Sequence, residues 1–285
     1  MSRLAAAVCL LFTLPLVAAS IEREIIVPVA GHGGQVGGRT YDTTLWVTSS
    51  SGRAAHVTLQ FLRAMQTNPA PHTISFDLGP GATRVFDPIG PDVIGAPQGV
   101  GALLIRSDQP LVATARAITH VDGEPLSRAV ATTFNAIPTR VAIGNGQSAL
   151  AQGITFGGAA GDRSRMYVVE THEKSLAYSI ALTDVGGKVL AQKLFYIAPR
   201  EQRTIDLGDE FATARADHAL IRVHGVNGDG RIVFVVAQIA SESQDGNAYE
   251  MSYSNEPRMR MPAGEIAVYI AVAAAILAAA VIYRR

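Results

Sequence analysis

A degenerate duplication runs through the middle of this 285-residue chain and constrains its fold more than any other feature. Four segments recur in the same order. The matched segments are residues 43–62 with 164–183, 76–87 with 195–206, 103–106 with 219–222, and 111–118 with 232–239. A chain that repeats its pattern in this way is expected to build one structural unit twice.

Each repeated unit shows the period-two alternation of half-buried β-strands. The apolar positions expected to face the two cores are Val57, Leu59 and Phe61 with their counterparts Tyr178, Ile180 and Leu182. Clusters of Gly, Pro, Asn, Asp and Ser separate the apolar runs, as turns do. We therefore predict an all-β fold: two tandem antiparallel β-sandwich domains of immunoglobulin-like type, followed by a single C-terminal transmembrane helix.

The N-terminus has the pattern of a secretory signal peptide. Arg3 precedes an apolar run over residues 4–19, and small residues close that run. A positive start, an apolar stretch and a small-residue cleavage site are typical of exported proteins. An uncleaved membrane anchor is the alternative, but Pro15 within the run favours a signal peptide because proline breaks a spanning helix.

The C-terminus has the pattern of a membrane span. Residues 266–283 carry no charge, and Arg284 and Arg285 follow them. Eighteen helical residues extend about 27 Å, close to the hydrocarbon thickness of a bilayer. The signal peptide predicts that the N-terminus lies outside and the arginines lie in the cytoplasm. A buried core helix is the alternative, but a core helix should show a polar face.

These patterns divide the chain into six predicted segments. They are a signal peptide at residues 1–20, a first sandwich at 21–135, a connection at 136–161, a second sandwich at 162–253, a stalk at 254–263, and the transmembrane helix with its cytoplasmic arginines at 264–285. The predicted helix is rich in small residues, which allow helices to approach closely in lipid. Its candidate docking positions are Ala271, Ala274, Ala275 and Ala278.

Composition narrows the functional classes. The single cysteine, Cys9, lies in the predicted signal peptide, so the mature chain is expected to have no disulfide and no cysteine ligand. Lys plus Arg and Asp plus Glu both number 24, and no basic stripe appears, so nucleic acid is not an expected partner. The sequence shows no recognisable catalytic set, metal-ligand set or cofactor motif, and we predict none.

Several residues admit a chemical interpretation and a plainer one. The Gly-rich stretch 31–38 lacks the strand and helix context of a phosphate-binding loop and is expected to be a flexible loop. Residues 206–210 and 227–230 offer oxygen ligands, but without the spacing of a calcium loop they are expected to be turns. The seven histidines form no recognisable zinc set. Trp46 and Tyr167 match in the repeat and are expected to be core residues rather than sugar-stacking platforms.

The opening of the first unit resembles a loose group of exported bacterial proteins with tandem immunoglobulin-like β-sandwich repeats and a C-terminal membrane anchor. The resemblance rests on Val27-Pro28-Val29, Gly37-Gly38 and residues 44–48, and extends over about residues 24–252. It implies fold and export rather than an activity. The second unit lacks the tryptophan and the Gly-rich opening, so the resemblance implies no ligand site shared by both units.

The favoured interpretation is a membrane-anchored extracytoplasmic protein of the bacterial envelope that binds or scaffolds another envelope or membrane protein and is not an enzyme. One alternative is a surface protein whose tail, beginning at Met261-Pro262-Ala263-Gly264, is a processed sorting signal. A second alternative is a hydrolase whose site is assembled from loops. Carbohydrate binding has no support beyond the two matched aromatic residues.

Overall fold

In a computed structural model, the described part of the chain comprises residues 22–36, 39–121, 123, 125, 129–156, 163–212, 214, 216–239 and 246–253. Antiparallel strands dominate this part, and its helices are single short turns. The predicted all-β class is therefore confirmed. The described residues as far as Ser252 belong to one compact unit.

The first half of the molecule contains strands β1–β8. They are β1 (Glu22–Val36), β2 (Arg39–Ser49), β3 (Ala55–Arg63), β4 (His72–Leu78), β5 (Thr83–Phe86), β6 (Gly99–His120), β7 (Val130–Asn135) and β8 (Ile137–Pro138). A four-residue helix, α1 (Pro91–Ile94), precedes β6, and a 3-10 turn (Thr139–Val141) follows β8. The left-handed Gly95 ends α1 by returning its N–H to the carbonyl of Pro91.

The second half contains the remaining described elements. They are β9 (Ser148–Phe156), β10 (Arg163–Glu170), β11 (Leu176–Thr183), β12 (Val189–Ile197), β13 (Gln202–Asp206), helix α2 (Leu207–Glu210), β14 (Ala216–Gly228), β15 (Ile232–Ile239), β16 (Gly246–Glu250) and β17 (Ser252–Tyr253). Strand β9 lies inside segment 136–161, which the sequence assigned to a connection, and it pairs with β14. That stretch therefore contributes a strand to a sheet of the second half.

One long strand, β6, holds the first half together. Its N-terminal stretch pairs with β3 and β1, and its C-terminal stretch pairs with β2 and β7. The strands belong to one continuous sheet with two arms, β4-β3-β6-β1 and β5-β2-β6-β7, and β1 also pairs with β2 between them. Both arms contribute to one apolar core, which includes Leu45 and Val47 from β2 and Leu59, Phe61 and Leu103 from the other arm.

The second half repeats these pairings with two separate sheets. One has the order β13-β10-β15-β16, and the other contains β12-β11-β14-β9 in that order. Matched positions also pair with matched positions. Val57 lies opposite Phe76 in the first half, and Tyr178 lies opposite Phe195 in the second.

One of the sequence matches is displaced by two residues. Leu59 pairs with Ile105, whereas its counterpart Ile180 pairs with Val223 rather than with Ile221. Segment 103–106 therefore corresponds to residues 221–224. A two-residue shift leaves a period-two pattern unchanged, so sequence alternation cannot detect it.

The six residues expected to face the cores are all buried. The expectation for Trp46 is wrong: its neighbours Leu45 and Val47 join the core, whereas Trp46 lies on the outer side of β2 and is partly exposed. Tyr167 is buried, but in a cluster that also contains Val29 and Phe134 of the first half. It therefore fills a contact between the halves.

Several expectations concern residues outside the described part of the chain. They are the signal peptide at 1–20, the stalk at 254–263, the transmembrane helix at 264–285 and the docking positions Ala271, Ala274, Ala275 and Ala278. Within the described residues, none of the helices has the length and apolar character that crossing a bilayer requires.

Candidate interaction surface

The outer face of the β12-β11-β14-β9 sheet exposes two large apolar side chains among the described residues. Side chains alternate between the two sides of a strand, so residues at every second position share this face. We call it the β12 face and define it by Ala177, Ser179, Leu194, Tyr196, His224 and Ser148. The intervening residues, including Tyr178 and Val223, are buried on the inner side.

Leu194 and Tyr196 are the prominent side chains of the β12 face. They are 66% and 54% exposed, although both are large and apolar in body. Their cross-strand neighbours on β11 are Ser179 and Ala177, which are too small to cover them. Val226, near the end of β14, is a further exposed apolar residue. Exposed large apolar side chains on a sheet are a typical feature of a protein-binding surface.

Aromatic packing beneath the β12 face holds β12 in place. The rings of Tyr178 and Phe195 stack with their centroids 5.8 Å apart. Burial raises the pKa of the Tyr178 phenol above its ordinary value, so this side chain stays neutral at physiological pH. Leu194 and Tyr196 flank Phe195 on the opposite side of the strand, so the inner packing presents them in fixed positions.

A polar pair lies beside the apolar residues of the β12 face. Ser148 Oγ and His224 Nδ1 are 2.9 Å apart, and both residues are partly exposed. His224 lies opposite Ser179 on the next strand. The hydrogen bond joins side chains of β9 and β14 and adds polar atoms to the face.

The corresponding face of the first half has the opposite chemistry. His56 Nδ1 lies 2.8 Å from Asp77 Oδ1, at the positions that Ala177 and Tyr196 occupy in the second half. Thr58 and Ser75 replace Ser179 and Leu194, and their hydroxyl oxygens are 3.3 Å apart.

Charge completes this polar network at the β6 and β1 positions. Arg106 Nε donates to Glu24 Oε2 at 2.7 Å, and Arg106 Nη1 donates to Gln60 Oε1 at 3.1 Å. In the ladder, Arg106 and Glu24 stand where the second half has His224 and Ser148. At these positions the first half therefore has a charged network, whereas the second half has two exposed apolar side chains beside a Ser–His pair.

The open edge of β12 is a less suitable docking site than its face. Lys193 is on the inner side of this edge strand, where its Nζ lies 3.0 Å from Glu210 Oε2 and 5.7 Å from the centre of the Phe211 ring. An inward-pointing charge on an edge strand discourages strand addition. The exposed apolar surface therefore favours contact through side chains rather than through the β12 backbone.

The other residues considered from sequence have local structural contacts. His32 Nδ1 lies 2.9 Å from Asp42 Oδ1, and His72 Nε2 lies 2.7 Å from the carbonyl oxygen of Asp92. Asp206 caps α2 by accepting hydrogen bonds from Gly208 and Asp209. No group of three or more His, Cys, Asp or Glu side chains suited to a metal ion occurs in the part of the chain that the structure describes.

The sequence already contained the signal for the β12 face. The matched segments place Asp77 against Tyr196 and His56 against Ala177, and both pairs stand at outward positions of the alternation. Comparison of the inward positions identified the repeat. Comparison of the outward positions would have shown that one unit loses its polar residues.

Comparisons with known proteins give limited information. No family model matches the chain, and no curated protein matches it. The crystal structure of Thermotoga maritima 1070 aligns with 41% of this chain and 94% of its own, at 13% identity and a TM-score of 0.32. An anti-sigma factor domain-containing protein aligns with 78% of this chain and 81% of its own, at 11% identity and a TM-score of 0.12. At these TM-scores neither similarity assigns a fold or a function.

Proposed function

We propose that this chain is a membrane-anchored extracytoplasmic binding or scaffolding protein of the bacterial envelope, and that its second half holds a protein partner through the β12 face. The observation that carries the proposal is the exchange of a charged network for Leu194, Tyr196 and Ala177 on an otherwise equivalent sheet face. We further propose that both halves are immunoglobulin-like sandwiches that arose by duplication, because their strand pairings follow the same order.

The chemistry of the β12 face favours a protein as the partner. Tyrosine is enriched at the energetic centres of protein interfaces, where its ring becomes buried and its hydroxyl remains available for a hydrogen bond. Leu194 beside Tyr196 provides the apolar centre, while His224 and Ser148 provide a polar margin. An apolar centre with a polar rim is typical of reversible protein interfaces.

Site-specific photo-crosslinking tests this function with a control inside the same chain. A benzophenone side chain is introduced at Leu194 or Tyr196, and at the equivalent Ser75 or Asp77 of the first half, in the full-length protein in its own cells. We expect a discrete protein adduct from the first pair of positions and none from the second. Equal labelling from both halves, or no adduct from either, would contradict the proposal.

Protease accessibility tests the proposed location. The proposed signal peptide and the proposed C-terminal span support a location outside the cytoplasm for residues 21 to about 262. Protease added to intact spheroplasts should digest this region and leave a short C-terminal tail. Protection of the whole chain would overturn the topology.

The proposed span has a second testable role. Replacement of Ala274 and Ala278 by leucine keeps an apolar span but removes its small-residue face. If this segment docks on another membrane helix, crosslinking and co-purification of that partner should be lost. Survival of every partner would leave the segment as a plain anchor. The mass of the mature C-terminus distinguishes an intact anchor from a processed sorting signal.

One observation favours a hydrolase as the second candidate function. The 2.9 Å contact between Ser148 Oγ and His224 Nδ1 is within the range of a nucleophile and its general base. An active serine hydrolase should be labelled covalently by a fluorophosphonate probe at Ser148, and Ser148→Ala should abolish the labelling. Absence of labelling in the intact protein would reject this serine as a nucleophile.

A further inference from the structure

The two halves of the chain meet through an aromatic contact. Tyr167 of β10 belongs to an apolar cluster with Val235, and with Val29 and Phe134 of the first half. The rings of Phe134 and Tyr167 are perpendicular, with centroids 6.2 Å apart. Arg165 Nη1 donates to the Tyr41 hydroxyl at 3.2 Å beside them. The second half thus presents the outer side of the β13-β10-β15-β16 sheet to the first half.

The first half has the same sheet surface, and there it is exposed. Trp46 lies between Val85 and Thr114, as Tyr167 lies between Thr204 and Val235. Trp46 is only partly buried, and nearby Val85 and Val112 are 50% and 41% exposed. We call this surface the Trp46 face and define it by Trp46, Val85, Val112 and Thr114.

The second half also has a counterpart of Phe134, namely Tyr249 on β16. Phe134 pairs with Ala115, and Tyr249 pairs with the equivalent Val236. Tyr249 is partly exposed. Each half therefore carries both members of an aromatic contact, and among the described residues the pair that meets is Phe134 with Tyr167.

We infer that the Trp46 face binds a second copy of this chain. In this contact Tyr249 of the second copy would pack against Trp46, in the way that Phe134 packs against Tyr167 within the chain. Such a contact is heterologous: each copy uses one surface for the preceding copy and another for the next. It is independent of the β12 face, and copies joined in this way form head-to-tail chains.

The residues around Trp46 and Tyr249 fit a reversible contact. Thr114 replaces the buried Val235 of the internal contact, and Arg116 replaces Ala237. On the other side Gln238 replaces Ala117. Interfaces between subunits that also exist as monomers are more polar than the interfaces of permanent oligomers. Apolar side chains surround the Phe134–Tyr167 pair within the chain. Polar side chains would surround the proposed pair of Trp46 and Tyr249 between two copies.

The composition of the chain supplies a direct readout. Trp46 is its single tryptophan, so the fluorescence of the full-length protein in detergent reports this face alone. We expect its emission to shift to shorter wavelength as protein concentration rises, because the indole leaves water. Tyr249→Ser should raise the concentration needed for the shift about tenfold or more, as loss of an aromatic anchor does. Tyr249→Phe should retain the shift.

Three controls make the result decisive. Leu194→Ser leaves the Trp46 face unchanged and should not alter the shift. The Ala274→Leu and Ala278→Leu double variant should also retain it, which separates this contact from association through the C-terminal segment. Circular dichroism must show that Tyr249→Ser is folded, and Thr114→Glu provides a second disruption from the opposite side. Emission independent of concentration, or a shift that survives both Tyr249→Ser and Thr114→Glu, would overturn the inference.

Discussion

The outer faces of the two halves have the same strand pairing but differ in charge, hydrogen bonding and exposed apolar side chains. In the first half His56, Asp77, Arg106 and Glu24 form a hydrogen-bonded, charged surface. In the second half the same positions are Ala177, Tyr196, His224 and Ser148. Inward positions are restricted by packing, whereas outward positions are free to change. The comparison teaches that the fold is encoded on one side of these strands and the difference between the halves on the other.

Truncation of a buried side chain on the inner side should destabilise the protein equally in both halves. This loss of unfolding free energy is the largest effect that we expect. Leu59 and Ile180 are both fully buried at matched places of the ladder. Leu59→Ala and Ile180→Ala should each lower the free energy of unfolding by about 2–5 kcal/mol, because each removes buried methyl groups and leaves a cavity. Denaturant unfolding of each variant measures the change. A loss below about 0.5 kcal/mol at both sites is incompatible with burial of this kind.

The end of β10 differs sharply from the matched end of β2. Glu170 is fully buried and accepts hydrogen bonds from the backbone N–H groups of His172, Arg200 and Arg231. Its counterpart Ser49, which pairs with the matched residue of β6, has a buried hydroxyl without a hydrogen-bond partner among the described residues.

Glu170→Ala should therefore destabilise the protein by about 3 kcal/mol, because it leaves three backbone donors unsatisfied. Ser49→Ala should change the unfolding free energy by less than about 0.5 kcal/mol, since no hydrogen bond is lost. Thermal and denaturant unfolding of the two variants provide the measurement. Equal losses at both positions would show that Glu170 has no special structural role.

Substitutions on the β12 face should change partner binding, and those on either outer face should leave the free energy of unfolding nearly unchanged. Leu194→Ser with Tyr196→Asp should weaken partner capture by the full-length protein about tenfold or more, because the pair forms the apolar centre of the β12 face. The matched changes Ser75→Ala and Asp77→Ala should leave capture unchanged. Unfolding free energies of both double variants should stay within about 0.5 kcal/mol of the parent per substitution, as at other surface sites. Loss of capture in the first-half variant instead would reverse the assignment of faces.

The smallest effect concerns the loop between β10 and β11. A hydrogen bond from Arg200 lowers the pKa of the Glu173 carboxyl. The contribution is fully present above the ordinary glutamate pKa and is lost as pH falls through the lowered value. Because the Glu173 carboxyl is exposed to solvent, Glu173→Gln should reduce stability at pH 7 by only about a few tenths of a kcal/mol and flatten its pH dependence below the ordinary glutamate pKa. The matched loop position in the first half is Gly52, so that loop offers no equivalent titration.

The sequence predicted the inward residues well and the outward ones less well. Alternation placed Leu59 and Ile180 correctly because a buried strand face must be apolar at every second position. It did not place Trp46, because an aromatic residue at a matched position is compatible with either side of the strand. Nor did it detect the two-residue displacement at Val223, which preserves the alternation.

The matched segments signal a loss of polar residues in the second unit, but strand pairing was needed to locate the candidate surface. Leu194 and Tyr196 look like ordinary apolar strand residues in the sequence, since alternation there is interrupted by Phe195. Only the strand partners show that Phe195 faces inward and stacks on Tyr178 while its two neighbours face solvent. The burial of Tyr167 was predicted, but its partners were not, because several of them belong to the first half.

The uninterrupted course of β6 determines how each half can open. Strand β6 continues through Ser107-Asp108-Gln109 and is 22 residues long, whereas residues 229–231 separate β14 from β15. The backbone amides of both arms of the sheet in the first half are therefore linked through one strand and should exchange with solvent as one cooperative block. In the second half the break gives each sheet its own opening equilibrium. We therefore expect the sheet that carries the β12 face to open locally by itself. The β13-β10-β15-β16 sheet would remain packed against the first half.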